Sequence, residues 1–243
     1  MERQTFLDTQ EKRFNSEIED LALAASKKVR TYRRKADWIS SELTRCFSPG
    51  MNVFEVGVGP GILSQLVYQR FPLASFFATD AFPEALECAG KRLSGLANVQ
   101  FAVWDVEKPA PEGFPKFDFL FGCDVLHHVS RPRKALYHLL QVARKGATLC
   151  LLETNPLNPW LGLVVGSHPE ESRLWLNHPR SFCRWLDEAG WKVQRVVTKP
   201  AFLPSGPASW GGVLDYVEEL IFRLPFFPHI AGMYELVCSK ERD

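Results

Sequence analysis

The stretch Val53-Phe54-Glu55-Val56-Gly57-Val58-Gly59-Pro60-Gly61-Ile62-Leu63 restricts the folds open to this chain more than any other. An apolar run suited to a buried strand leads into glycines spaced G-x-G-x-G, and a helix is expected to start near Gly61. Glu55 stands two residues before the first glycine. Such a turn, lacking side chains, lets a ligand lie directly against backbone, and the helix start offers N–H groups with no intrahelical partner. The dinucleotide fingerprint G-x-G-x-x-G does not fit, because its last glycine would fall on Ile62. The lack of a Tyr-x-x-x-Lys pair counts further against a nicotinamide-dependent oxidoreductase.

The same pattern continues along the chain. Residues 74–79 form a short apolar run closed by Asp80, and Pro83 follows where the first turn of a helix tolerates it. An acid ending a second strand, 23 residues after Gly57, can accept hydrogen bonds from both hydroxyls of an unphosphorylated ribose, with Ala81 beside it. The alternative for Asp80 is a cap on the next helix. A third strand, Val99 to Trp104, ends at Asp105-Val106, where a simple turn residue is the competing reading. Then comes Phe117-Asp118-Phe119-Leu120-Phe121-Gly122-Cys123-Asp124-Val125-Leu126-His127-His128-Val129.

In order and spacing, these four segments, spanning residues 52–129, resemble the class I S-adenosylmethionine-dependent methyltransferases. The resemblance implies S-adenosylmethionine as cofactor and S-adenosylhomocysteine as product. It implies that Gly57, Gly59 and Gly61 form the cofactor turn, that Asp105 and the Val106 N–H meet the adenine, and that backbone near Cys123 receives the ammonium group. Glu55 is expected to brace the glycine turn and the methionine end, through backbone N–H groups or water. His128 is the candidate base for a hydroxyl or carbon-acid acceptor, against a packing role for it and His127. Tyr32 is a candidate to close over the cofactor. A non-catalytic cofactor-binding or interaction protein on the same fold is the competing class.

Strands alternating with helices predict an α/β fold, a Rossmann-like three-layer sandwich. Strands are expected at 51–57, 74–79, 98–104, 117–123, 147–153, 191–198 and 234–238. Helices are expected at 61–70, 83–94, 131–143 and 179–189, the last stopping at Gly190, after one or two N-terminal helices over 11–47. The resemblance implies seven strands, mostly parallel, with the last inserted antiparallel. The domain reading is a single methyltransferase domain over 1–243: N-terminal helices to 50, a cofactor-binding half over 51–153 and a substrate-side half over 154–243.

Two connections, 154–178 and 199–231, exceed what the scaffold needs. They carry Trp160, Trp175, Trp210, Phe202, Phe226 and Phe227, too apolar a set for disorder. They read as a cover over a small organic or lipid-like acceptor, with an accessory core, a homodimer contact or a peripheral membrane contact as alternatives. Lys plus Arg number 29 and Asp plus Glu 28, so nothing in the charge points to nucleic acid as partner. The basic run Lys27 to Lys35 is either a solvated helix face or a pocket edge attracting an acidic group. Six scattered cysteines without C-x-x-C or histidine partners suggest reduced thiols in a cytoplasmic protein and no metal. The N-terminus lacks the apolar core of a signal peptide.

Overall fold

The computed structural model describes residues 30–159, 178–200 and 211–241. Among these residues seven strands form one sheet: β1 (Asn52–Val56), β2 (Ser75–Asp80), β3 (Val99–Val103), β4 (Phe117–Cys123), β5 (Ala143–Thr154), β6 (Lys192–Lys199) and β7 (Met233–Ser239). The helices are α1 (30–46), α2 (Ile62–Tyr68), α3 (Pro83–Leu93), α4 (Pro132–Val142), α5 (Pro179–Ala189) and α6 (Gly211–Phe222). The expected N-terminal helix before residue 30 lies outside the described residues.

The strand order is β3-β2-β1-β4-β5-β7-β6. Strands β1 to β5 pair in parallel, and β7 pairs antiparallel with both β5 and β6. The chain builds outward from β1 to β3, then crosses back to β4 and builds the other way. The carboxyl ends of β1 and β4 therefore flank the point where the order reverses, which is where open α/β sheets bind ligands.

Both faces of the sheet are covered, as parallel strands require. In β1, Val53 packs with Ile39 and Leu43 of α1 and Val67 of α2, while Phe54 and Val56 pack toward Leu136 of α4 and Leu186 of α5. Each such side chain contributes roughly 1.5–3 kcal/mol on burial. Helix α5 ends where the sequence places its stop, at Gly190 with φ 97°.

Strand β5 begins earlier than expected. Ala143 pairs with Phe117, and the ladder resumes at Phe119 with Thr148. This irregularity places Phe117 and Phe119 in different clusters although they stand two positions apart, a spacing that in a regular strand shares one face. Phe117 then joins Phe54, Phe114 and Trp104, with ring centroids 4.8 Å apart for Phe54–Phe117 and 5.1 Å for Trp104–Phe114. Among the described residues, no helix is long and apolar enough to cross a membrane.

Candidate active site

A cleft of about 340 Å³ opens at the carboxyl ends of β1 to β4. Glu55, Gly57, Gly59, Asp80, Ala81, Asp105, Val106, Cys123 and His128 all line it. Gly61 does not. It caps α2 and lies against α3, where a Cβ would come 3.1 Å from the Ala89 Cα.

The glycine turn is held by β2. The Gly57 and Val58 N–H groups both donate to the Thr79 carbonyl, at 2.8 and 3.0 Å. Gly57 has φ 71°, and a Cβ there would come 2.4 Å from a Val125 methyl, so this position admits no side chain. Gly59, at φ 51°, differs: a Cβ there would meet nothing within 4 Å. Its bare backbone faces open space along a cleft wall, the surface a close-lying ligand needs.

Asp80 accepts from the Gly59 N–H at 2.9 Å and from the Phe82 N–H at 3.1 Å. It therefore ties the glycine turn to the start of α3, and a carboxylate still has acceptor capacity beyond two bonds. Burial pushes its pKa up, against these backbone donors. Asp105 accepts from the Glu107 N–H at 3.1 Å, and its carbonyl accepts from the Lys108 N–H at 2.8 Å. Trp104 donates its ring N–H to the Lys108 carbonyl at 3.0 Å. Glu107 accepts from the Ser130 N–H and Arg131, at 2.7 and 2.9 Å, and links this turn to the segment after β4.

Glu55 is buried, and its carboxyl accepts from the Tyr68 hydroxyl of α2 at 2.5 Å. The partner shown for this carboxyl is thus a side chain of the helix that follows the glycine turn. Burial pushes the Glu55 pKa up to about 8, despite the Tyr68 donor.

Three residues of this region escape the motif reading. Lys35 reaches from α1 into the cleft and pairs with Asp124, the residue that follows β4. Burial lowers the Lys35 pKa, but Asp124 and Cys123 outweigh it and the net shift is upward. Burial likewise works against the Asp124 carboxylate, yet Lys35 and His127 hold its pKa below the ordinary value. Glu153, at the end of β5, accepts from the Val125 and Leu126 N–H groups at 3.1 and 2.9 Å and bonds the His127 ring at 3.1 Å. Asp124 was visible in principle, since an acid also closes β2 and follows β3. Lys35 had only the basic run as a signal. Within that run the solvated reading fits exposed Arg33 but not Arg30 and Arg34. Arg30 bonds Glu218 of α6 at 2.6 Å and Asp215 at 2.8 Å, and Arg34 also bonds the fully buried Glu218.

His128 lines the cleft, while His127 lies behind it with ring centroids 3.9 Å apart. Asp124, His127 and Glu153 bring donor atoms within 4.8 Å of one another. Lys35 and backbone N–H groups already engage the two carboxylates. Of the expected cover, Trp160, Trp175, Phe202 and Trp210 lie outside the described residues. Its described parts meet beyond β5, where Asn155 and Asn158 donate to the carbonyls of Ala231 and Ile230 at 2.8 and 3.2 Å.

The family described as a methyltransferase domain matches residues 28–196. The chain belongs to this family. It is an S-adenosylmethionine-dependent methyltransferase, and S-adenosylmethionine is its cofactor. The cleft fits that group, with open backbone at Gly59 between the Glu55 and Asp80 carboxyls. Among curated proteins, highly reducing polyketide synthase 40 of Fusarium pseudograminearum is 28% identical over 187 residues, 70% of the methyltransferase but 7% of the synthase. A malonyl-[acyl-carrier protein] O-methyltransferase of Ilyobacter polytropus is 32% identical over 98 residues, 40% of this chain and 36% of the relative. The chain thus spans well under two thirds of either relative's length. A solved methyltransferase from Aquifex aeolicus, 22% identical, shares the fold with a TM-score of 0.55, covering 83% of this chain and 89% of its own.

Proposed function

We propose that this methyltransferase moves a methyl group from S-adenosylmethionine to a small acyl-chain acceptor, at oxygen or at an acidic carbon. The observation that carries the cofactor half is the run of acids lining the cleft, with Glu55 in β1, Asp80 ending β2 and Asp105 following β3, beside the open Gly59 backbone. Asp80 takes the ribose hydroxyls, and Asp105 with the Val106 N–H takes the adenine. The cofactor supplies a methyl already activated on a sulfonium. The chain's own work is alignment of the acceptor and exclusion of water.

Support for an acyl acceptor comes from the relatives, one a polyketide synthase and one named for malonyl-acyl carrier protein. An apolar stripe on and after α6, with Val213, Tyr216, Leu220 and Leu224 exposed, suits a lipid-like acceptor or a membrane surface. His128 is the cleft-lining group for removing an acceptor proton, with His127 and Glu153 fixing its surroundings. The test is incubation with methyl-labelled S-adenosylmethionine and malonyl- and β-ketoacyl-pantetheine thioesters, read by mass spectrometry. Label on a thioester supports the reading, and its position separates oxygen from carbon. Label reaching only non-acyl hydroxyl compounds would reject the acyl acceptor while leaving the cofactor assignment standing.

A further inference from the structure

We propose that the outer face of α6, with the turn after it, is a docking surface for a lipid bilayer, entered by Tyr216, Leu220, Leu224 and Phe226. The inference goes beyond the methyl-transfer reading and does not rest on it, because a bilayer is bound here without any acceptor.

Helix α6 is turned inside out. A helix lying on a globular domain ordinarily presents its apolar stripe to the core and its charges to water. In α6 the residue withdrawn completely from water is Glu218, while Val213, Tyr216, Leu220 and Leu224 are exposed, Tyr216 by 67%. Positions 213, 216, 217, 220 and 224 recur at three- and four-residue spacing, so they form one stripe. The Arg223 and Leu224 N–H groups donate to the Leu220 and Ile221 carbonyls, at 3.2 and 3.0 Å, which carries the helical path on to Leu224.

A clamp fixes which way the helix faces. Arg30 of α1 bonds Glu218 at 2.6 Å and Asp215 at 2.8 Å, and Arg34 also bonds Glu218. Both arginine side chains are themselves largely withdrawn from water, 10% and 13% exposed. Rolling α6 to hide its apolar stripe would pull two buried cations away from a buried carboxylate, which a low-dielectric interior penalises heavily. The apolar face is therefore held outward by the ionic one.

Size and charge select the occupant. Residues 213–226 make a ridge roughly 20 Å long and ~10 Å wide, about 200 Å² in all, a quarter of the about 800 Å² per partner that a stable second copy needs. A bilayer asks for no matching shape, only for apolar side chains that reach past the headgroups. From Leu220 to Gly232 the chain carries no acid, and Arg223 is its one fixed charge. That end of the ridge thus meets lipid phosphates with a cation and without repulsion. Leu224 and Phe226, the latter 66% exposed, stand there, an aliphatic and an aromatic group of the kinds that anchor helices at a bilayer interface.

Flotation of the full chain with vesicles of phosphatidylcholine and phosphatidylglycerol tests the proposal. Wild-type protein should float with the vesicles and keep most of that binding in about 0.5 M salt, where exposed charges are screened. The L224S/F226S variant should partition about tenfold or more weakly at unchanged melting temperature, because both side chains are exposed. If that variant does not melt as the wild type does, Tyr216→Ser, also exposed, takes the same measurement, with a loss of about threefold or more expected. Wild-type protein that does not float, or folded variants that float equally well, overturn the proposal. Binding abolished by salt assigns the contact to charge alone and overturns it too. A dimer seen in sedimentation, lost in L224S/F226S and accompanied by no flotation, places a second copy on the stripe and overturns it as well.

Discussion

The two ends of the cleft are built differently. At β2 and β3 each carboxylate has a partner two residues on, Asp80 the N–H of Phe82 and Asp105 that of Glu107, although Asp80 also holds the N–H of Gly59, 21 positions back. At β1 and β4 the partners come from far along the chain. Lys35 and Asp124 are separated by 89 positions, Thr154 and Asp124 by 30, and Glu153 and Leu126 by 27. Turn chemistry thus shapes one end, while the other forms only once α1 docks and β5 is in register. Helix α1 is in turn bound to α6 by Arg30 and Arg34, so the charged end of the cleft and the segment beyond β6 share one support.

The largest effect should come from the tight contact within the second end, where Gly57 after β1 meets Val125 after β4. Gly57→Ala forces a methyl to 2.4 Å from a Val125 methyl at a positive φ, so the turn and the β-branched Val125 side chain must shift. A loss of about 3–5 kcal/mol in urea unfolding is expected. Gly59→Ala, where the added methyl meets open space, should cost much less stability and show itself in cofactor affinity. Similar losses at the two glycines would break the contrast.

Next in size is Asp80→Ala. Loss of the ribose acceptor should weaken S-adenosylhomocysteine by roughly 2–4 kcal/mol in calorimetry. Because Asp80 also holds Gly59 and Phe82, melting should fall as well, and Asp80→Asn should restore melting more than affinity. If asparagine restored both equally, Asp80 would be a turn residue and no more.

The smallest effect concerns pH. The folded Glu55 pKa, about 8, lies above the ordinary 4.5. Between those values the unfolded chain has released a proton that the folded chain still holds, so this group lowers stability as pH rises through that window. A buried site relaxes when it ionises, so the fall is on the order of 1–2 kcal/mol and not that of the full shift. Glu55→Gln, which keeps a hydrogen bond to Tyr68, should reduce the drop in unfolding free energy between about pH 5 and about pH 8. An unchanged drop would assign it to other groups, with Asp80, shifted in the same direction by burial, as the first to examine.

What could be read from residue order was whatever lies within a single strand-turn-helix unit. The glycine turn, the acids at the ends of β2 and β3, the Pro83 and Pro179 helix starts and the Gly190 stop are all local. Each is set by backbone geometry that a few consecutive residues impose, and their spacing sufficed to indicate the fold and the cofactor. The basic run at 27–35 was not legible in this way, because a helix bearing Lys and Arg looks alike whether its face meets water or acids.

Only the tertiary structure decided that Arg30 and Arg34 bind α6 while Lys35 enters the cleft. It also decided that Glu55 turns to Tyr68, that Gly61 packs on Ala89 away from the cleft, and that Glu153 stands behind His127. The reason is physical. A charge buried by folding must find its partner wherever packing brings one, and that partner's distance along the chain leaves no local mark.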